Sequence, residues 1–277
     1  MALRSLDSYS AYLFDVDGTL VFPGRVIPGA AEAVAALKAH GKAVLAVTNN
    51  SSYQRHELAE HFRRFGLPLE DVEVFSALVA TARFVAHERP GARVHVFGNP
   101  GLKAEIESAG LVAIDDEDAD YVVVGIHEQV TYARLTRAMR ALQNGARFVA
   151  VNEDRGYIGR DGGLVPGAGV FVAALARATG RQPDIIVGKP SVRLLHEAAE
   201  SVGHPPSECL YVGDNPEVDV SAAHMAGMDA LLVLTGVASS APDGHNVPEH
   251  VLPSVADLAK RFYEQDGKSF ATRPGPS

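Results

Sequence analysis

Asp15 and Asp17 stand two residues apart directly after the apolar run Tyr12 to Phe14, and Gly18 and Thr19 follow them. Paired carboxylates of this kind can serve as nucleophile, acid–base group or metal ligand, provided something offsets their charge. On its own a D-x-D also describes a turn or a helix entry. Three further apolar runs end in complementary groups: Thr48 and Asn49 after residues 42–47, Lys189 after DIIVG, and Asp214 with Asp219 after LYVG. In open α/β sheets ligands bind beyond the carboxyl ends of the strands, so four such exits predict one site.

Charge decides what that site accepts. A phosphate dianion beside Asp15 and Asp214 is strongly repelled unless a divalent cation and a lysine, here Lys189, balance it. Oxygen donors with no histidine or thiolate at these exits favour Mg²⁺ over zinc or copper. The Thr48 hydroxyl and the adjacent amides of Asn49 and Asn50, at the expected start of a helix, suit non-bridging phosphate oxygens. Taken singly, the same residues have plainer readings. Lys189 is a solvated residue before Pro190, Thr48 a strand-end hydroxyl, Ser51 a helix cap, and Asn215 the former of the GDNP turn. Gly18 and Gly213 likewise read as residues that permit tight turns.

The elements that must carry these groups are legible as an α/β rhythm. A buried strand over 12–14 is followed by a helix over 30–40, with Ala30, Val34 and Leu37 at helical spacing and Gly41 as its stop. A strand over 42–47 leads into a helix that opens with Ser51 and Gln54 at capping-box spacing and places Leu58, Phe62 and Phe65 on one face. The order strand, helix, strand, helix predicts a doubly wound parallel sheet covered on both faces.

From about residue 77 the punctuation changes, which predicts an inserted α/β unit over 77–181 and a discontinuous core of 1–76 plus 182–265. The insert's expected strands are 94–97, 111–114, 121–126 and 147–151, and a helix over 131–144 aligns Leu135, Ala138, Met139 and Leu142. The stretch from Asn152 to Gly169, NEDRGYIGRDGGLVPGAG, reads as a long loop before a short apolar helix. A strand over 184–187 is expected to resume the core, followed by a helix to Val202, strands at 210–212, 231–234 and near Val251, and a last helix over 255–262. Residues 266–277 form an expected flexible tail.

Bulk properties narrow the function classes. The 277 residues carry 47% hydrophobic and 21% charged side chains, the make-up of a globular protein. A formal charge of −9 argues against a nucleic-acid polymer as partner. Cys209 is the single cysteine and opens the run CLYV, so it reads as a buried strand residue in a reducing, cytoplasmic setting. Neither a signal peptide nor a membrane-spanning run is expected, so a membrane is not an expected partner.

The four motifs, taken in order, resemble the haloacid dehalogenase superfamily, with D-x-D-x-T, a threonine, a lysine and an acidic pair. The insert resembles the larger α/β cap of subfamily IIA, and TNNSS at 48–52, DYVVVG at 120–125, PGAG at 166–169 and GKP at 188–190 extend the match. That group includes nucleotide, pyridoxal-phosphate, glycerol-phosphate, phosphoglycolate and nitrophenyl-phosphate phosphatases. The resemblance implies that Asp15 is the nucleophile and Asp17 the acid and base. It implies Mg²⁺ held by Asp15, Asp214 and the Asp17 carbonyl, a phosphate gripped by Thr48, Asn49, Asn50 and Lys189, and an orienting role for Asp219, backed by Asn215 and Gly213. It leaves open pairing of two copies through the cap. Departures cluster in the insert: His127 stands where relatives often carry an aspartate, and Tyr157-Ile158-Gly159 where a proline is common. Asp154, Arg155, Tyr157 and Arg160 read individually as a solvated polar loop, with a place facing the substrate's leaving group as the functional alternative. A phosphometabolite sensor and a haloacid dehalogenase are the rival functions, and a phosphomutase or phosphonate hydrolase fits the same core.

Overall fold

The computed structural model describes residues 4–22, 25–158, 163–267 and 270. The chain divides into two compact units, one formed by residues 1–48, 55–75 and 195–277, the other by 49–54 and 76–194.

The first unit holds a six-stranded sheet in the order His250–Leu252, Asp229–Val233, Cys209–Gly213, Ala11–Phe14, Ala43–Thr48, Val74–Ser76. Phe14 lies opposite both Val212 and Ala46 in parallel pairings. Every residue of Ala11–Phe14 and of Cys209–Gly213 is buried, as continuous apolar strands covered on both faces require. Read in chain order, the sheet changes direction between Ala11–Phe14 and Cys209–Gly213. That switch point, where the crossovers part to opposite sides, is where a crevice opens at the carboxyl ends.

Helices close the sheet. Ala30–Ala39 packs on the C-terminal helix Val255–Gln265, and the rings of Tyr12 and Phe262 meet edge to face with centroids 6.0 Å apart. The short helix-to-strand stop at Gly41 occurs as expected, with φ of 69°. Cys209 opens its strand fully buried, and burial pushes its thiol up to about 11, so it is an inert core group.

The second unit holds a five-stranded sheet ordered Ile185–Ile186, Arg147–Ala150, Tyr121–Val124, Arg93–Phe97, Val112–Ile114, with every pairing parallel. Its core joins Phe97, Val122, Val124 and Phe148 to Leu142, Val172 and Leu175 of the covering helices. The expected helix is present as Tyr132–Gln143, and the Thr131 hydroxyl caps it by accepting from the Arg134 amide.

Three local expectations are corrected. The strand expected to resume the core after residue 182 is Ile185–Ile186, and it instead extends the second sheet by pairing with Val149 and Ala150. The helix expected to open at Ser51 starts at Arg55. Ser51 is buried and its carbonyl accepts from Asn99 Nδ2 at 2.7 Å, while the Ser52 amide donates to Asn50 Oδ1 at 2.9 Å. These side-chain bonds hold 49–54 out of the helix. The long loop folds into a hairpin of Gly156–Ile158 against Leu164–Pro166, and the helix after it is the 12-residue Ala168–Thr179. Gly159 and Arg160 lie outside the described residues, as does most of the expected tail from 266. Among the described residues no helix is long and apolar enough to cross a membrane.

Gly29, just before Ala30–Ala39, lies against the start of Val255–Gln265. Its φ is 88°, and a Cβ there would stand 2.4 Å from the Ala256 Cβ, whereas Gly41 shares the left-handed conformation but faces open space. Gly29→Ala is expected to destabilise by about 2–4 kcal/mol, adding overpacking to backbone strain, and Gly41→Ala by only about 1 kcal/mol. Urea unfolding of the two variants checks this; equal losses would remove the packing contribution.

Candidate active site

Asp15 and Asp214 each follow the last residue of one of the two strands that flank the switch point of the first sheet. The Asp15 amide donates to the Val212 carbonyl at 2.7 Å, which continues the ladder by one residue and fixes the turn-off point of the chain. Oxygens of Asp15, Asp214 and Asp219 all lie within 4.8 Å of one another. Relative exposures of 8%, 4% and 2% make this an acidic cluster largely withdrawn from solvent. At an effective dielectric of about 20, like charges at that range repel by about 3–4 kcal/mol per pair, so the cluster favours a cation. Its donors are all oxygens, which suits a hard divalent ion.

The backbone holds the acids in place. Asp219 Oδ2 accepts from the amides of Asp214 at 3.2 Å and Asn215 at 3.1 Å. Asp214 Oδ2 accepts from the Val237 amide at 2.6 Å, and the Asp214 carbonyl accepts from Ala238 at 3.0 Å. Asn215 shapes the turn: its Oδ1 accepts from the amides of Glu217 at 3.0 Å and Val218 at 3.3 Å. Close approach explains the glycines. A Cβ on Gly236 would lie 1.9 Å from Asp214 Oδ2, and one on Gly213 would lie 2.4 Å from the Asp219 Cβ. Gly213 therefore makes room for a side chain and needs no special φ, while Gly18 has a φ of 83° and a Cβ there would lie 2.5 Å from Asp214 Oδ2. Asp17 is exposed on the loop beyond Asp15, and Thr48 ends its strand with 3% exposure.

A second polar cluster lies in the second unit. Asn49 Oδ1 accepts from the Lys189 amide at 2.8 Å, and Asn49 Nδ2 donates to the Lys189 carbonyl at 3.0 Å. The same Nδ2 stands 3.4 Å from each oxygen of Asp154. Asn152, 1% exposed, donates from Nδ2 to the Asn49 carbonyl at 2.8 Å and accepts at Oδ1 from the Asp154 amide at 3.2 Å. Asp154 keeps an exposed surface, yet crowding by protein atoms pushes its carboxyl above the ordinary carboxylate range, against the pull of the Asn49 amide and the Lys189 charge.

Of the expected residues, Asp15, Asp214 and Asp219 are thus brought together in one unit, and Asn49, Asp154 and Lys189 in the other. Arg155 is not in that second group; it is exposed on an open groove of about 440 Å³ shared with Glu153, Val170 and Gln182. Tyr157 lies in the hairpin opposite Val165. His127 is 3% exposed with Nε2 3.2 Å from Arg134 Nη1, and burial and then that charge hold it below its ordinary value. An arginine only donates, so Nε2 accepts and the ring is neutral. Asn152 and Gly236 were not anticipated; the asparagine's place just past a strand, as for Asn49, is the signal that marks it.

Comparison with known proteins agrees with this architecture. The family described as haloacid dehalogenase-like hydrolase matches residues 12–112, and the HAD-hydrolase-like family matches 186–258. The 5'-nucleotidase YutF of Bacillus subtilis is 38% identical over 91% of this chain and 98% of its own. The acid sugar phosphatase of Staphylococcus saprophyticus is 37% identical over 84% of this chain and 89% of its own. Among solved structures, the p-nitrophenyl phosphatase of Archaeoglobus fulgidus superposes with a TM-score of 0.81 at 36% identity, over 92% of this chain and 99% of that one.

The two bonds that Asp219 accepts set a stability test. Asp219→Ala leaves two amide donors without their acceptor and is expected to cost about 2–5 kcal/mol. Asp219→Asn keeps a carbonyl oxygen there and relieves repulsion from its neighbours, so it should stay within about 1 kcal/mol of the parent. Denaturant unfolding without added divalent ions checks both, and equal losses would mean that charge, not hydrogen bonding, is what Asp219 contributes.

Proposed function

The chain belongs to the haloacid dehalogenase-like hydrolases, in subfamily IIA, and from that membership we propose a phosphatase that hydrolyses small phosphomonoesters through a phospho-aspartate on Asp15, with Mg²⁺ as cofactor. Relatives named as a 5'-nucleotidase, an acid sugar phosphatase and a p-nitrophenyl phosphatase support a sugar phosphate or nucleoside monophosphate as substrate, and the family resemblance adds glycerol phosphate and phosphoglycolate to the candidates. The observation that carries the reading is the close set of buried acids at the switch point of the sheet, Asp15, Asp214 and Asp219. The buried Cys209 thiol accords with a reducing compartment such as the cytoplasm.

Asp15, Asp214 and the main-chain carbonyl of Asp17 are the groups suited to hold the cation. Bound there, Mg²⁺ supplies the positive charge that lets a phosphate dianion approach carboxylates. The Asp15 carboxylate attacks phosphorus, the ester P–O bond breaks, and Asp17 gives its proton to the leaving oxygen. Asp17, now ionised, takes a proton from a water molecule that attacks the phospho-aspartate, which releases phosphate and restores Asp15. An exposed position on a loop suits Asp17 to meet both the leaving group and water. Asp219 holds the amides that orient Asp214. In this proposal the Thr48 hydroxyl and the amides of Asn49 and Asn50 grip the transferring group, and Lys189 offsets its charge. Asp154 and Tyr157, with Arg155, are proposed to bear on substrate choice.

Asp15→Asn preserves shape but removes the nucleophile and relieves repulsion in the cluster, so nitrophenyl-phosphate turnover should fall by at least about 10³-fold while thermal stability without divalent ions is not lowered. Turnover in the parent should vanish with EDTA and return with Mg²⁺. Full activity in the asparagine variant would rule out the covalent route. A parent that takes up the ion and nitrophenyl phosphate without turnover would instead point to a sensor.

A further inference from the structure

Asn49 follows Thr48, yet its side chain is committed to the protein rather than to an open face. The Lys189 N–H can only donate and the Lys189 carbonyl can only accept, so the two bonds at 2.8 and 3.0 Å fix the amide's orientation without ambiguity. Together they tie one side-chain amide to the main-chain N–H and carbonyl of a single residue, which lie in two successive peptide groups. The remaining Nδ2 hydrogen faces the Asp154 carboxylate, 3.4 Å from each oxygen, so both amide hydrogens are directed at chain atoms. Gly188 makes the fit possible: a Cβ there would lie 2.9 Å from Asn49 Oδ1 and 2.8 Å from the Asn152 Cβ. Asn152 in turn fixes the Asn49 carbonyl at 2.8 Å.

We propose that the Asn49 side chain is a positioning residue that holds the main chain of Lys189, and that it does not itself bind phosphate. This rests on the role given above to Lys189. A lysine has a long, rotamer-rich side chain, so fixing the backbone from which it departs is the economical way to limit where its ammonium reaches. Misplacement by about 1 Å is enough to lose about 100-fold in rate. The clamp accounts for GKP following a strand exit and for an asparagine following the threonine, two features the phosphate-gripping role leaves unconnected.

A double-mutant cycle on the full-length protein separates the alternatives. Asn49→Ala should lower nitrophenyl-phosphate kcat by about 30- to 100-fold with KM changed less than about threefold, and Asn49→Asp, which keeps the acceptor but not the donor, should fall between. In a Lys189→Met background, Asn49→Ala should cost no more than about a further twofold, because the group it positions is already gone. The affinity for inorganic phosphate, read by calorimetry with Mg²⁺ present, should change less than about threefold in Asn49→Ala, and a larger loss would make Asn49 a phosphate ligand, so residual turnover too small to measure does not stall the test. Independent, multiplying losses would overturn the inference and make Asn49 a phosphate ligand. Lys189→Met with full activity would instead overturn the role of Lys189 and, with it, the clamp. If Asn49→Ala does not fold, the cycle is run with Asn49→Asp, and full parental kcat in that variant would also overturn the clamp.

Discussion

Mutual repulsion among three withdrawn carboxylates is the constraint around which the first unit is built. Nothing about acidic side chains brings them together; the chain must hold them there against a Coulomb cost of several kcal/mol. It does so with backbone. Two amides converge on Asp219 and a third on Asp214, at 3.2, 3.1 and 2.6 Å, so that partial positive charge from peptide dipoles stands against the acids. Glycines at 18, 213 and 236 bring the chain to distances that a Cβ would forbid. The stability to absorb this comes from elsewhere in the unit, from strands such as Ala11–Phe14 and Cys209–Gly213 that bury every residue.

The second unit solves a different problem with the same materials. Its sheet, read in chain order, reverses between Arg93–Phe97 and Tyr121–Val124, so it too has a switch point of its own. Around the exit of Arg147–Ala150 the chain is fastened by short polar side chains, Asn49, Asn152 and Asp154, whose few rotatable bonds make fixed geometry inexpensive in entropy. The PGAG segment belongs to this fastening. A Cβ on Gly167 would meet the Asp154 carbonyl at 2.2 Å, and one on Gly169 the Glu153 carbonyl at 2.5 Å. Those glycines let residues 153–155 lie directly on the start of the helix Ala168–Thr179, with the Gly167 and Gly169 amides donating to Arg155 and Asp154 at 3.0 Å.

Much of this was legible in the sequence because its signals are local. Continuous apolar runs ending in Asp15, Thr48 and Asp214 mark buried parallel strands and their exits, and the stripe of Leu135, Ala138, Met139 and Leu142 marks one helix. The helix Ala77–Glu88 escaped because seven of its residues are buried and ALVATARFVA offers no polar face to set a period. Pro100–Ser108 was equally quiet, although Asn99 caps it by accepting from Leu102 at 2.9 Å. Ser51 and Gln54 have capping-box spacing, but spacing cannot register that Asn99 and Asn152, far along the chain, bond to the same stretch. Ile185–Ile186 is too short for its sheet to be read from composition; its partner, Val149–Ala150, is decided by tertiary pairing alone.

Under the proposed role of Lys189, a neutral amide at position 49 has a physical reason. A carboxylate in that place would fix Lys189 by its charge, and would then compete with an incoming phosphate for that charge. The Asn49 amide engages only the peptide N–H and carbonyl of Lys189, so it fixes the origin of the side chain without drawing on the ammonium. Asp154 is the nearby group that would upset this balance, and crowding raises its pKa, which weakens its hold on a proton-free, fully charged state. Holding by dipoles is the same device that steadies Asp214 and Asp219, whose carboxylate oxygens accept from peptide amides. In both units main-chain groups carry position: peptide amides for Asp214 and Asp219, and the N–H and carbonyl of Lys189 for Asn49.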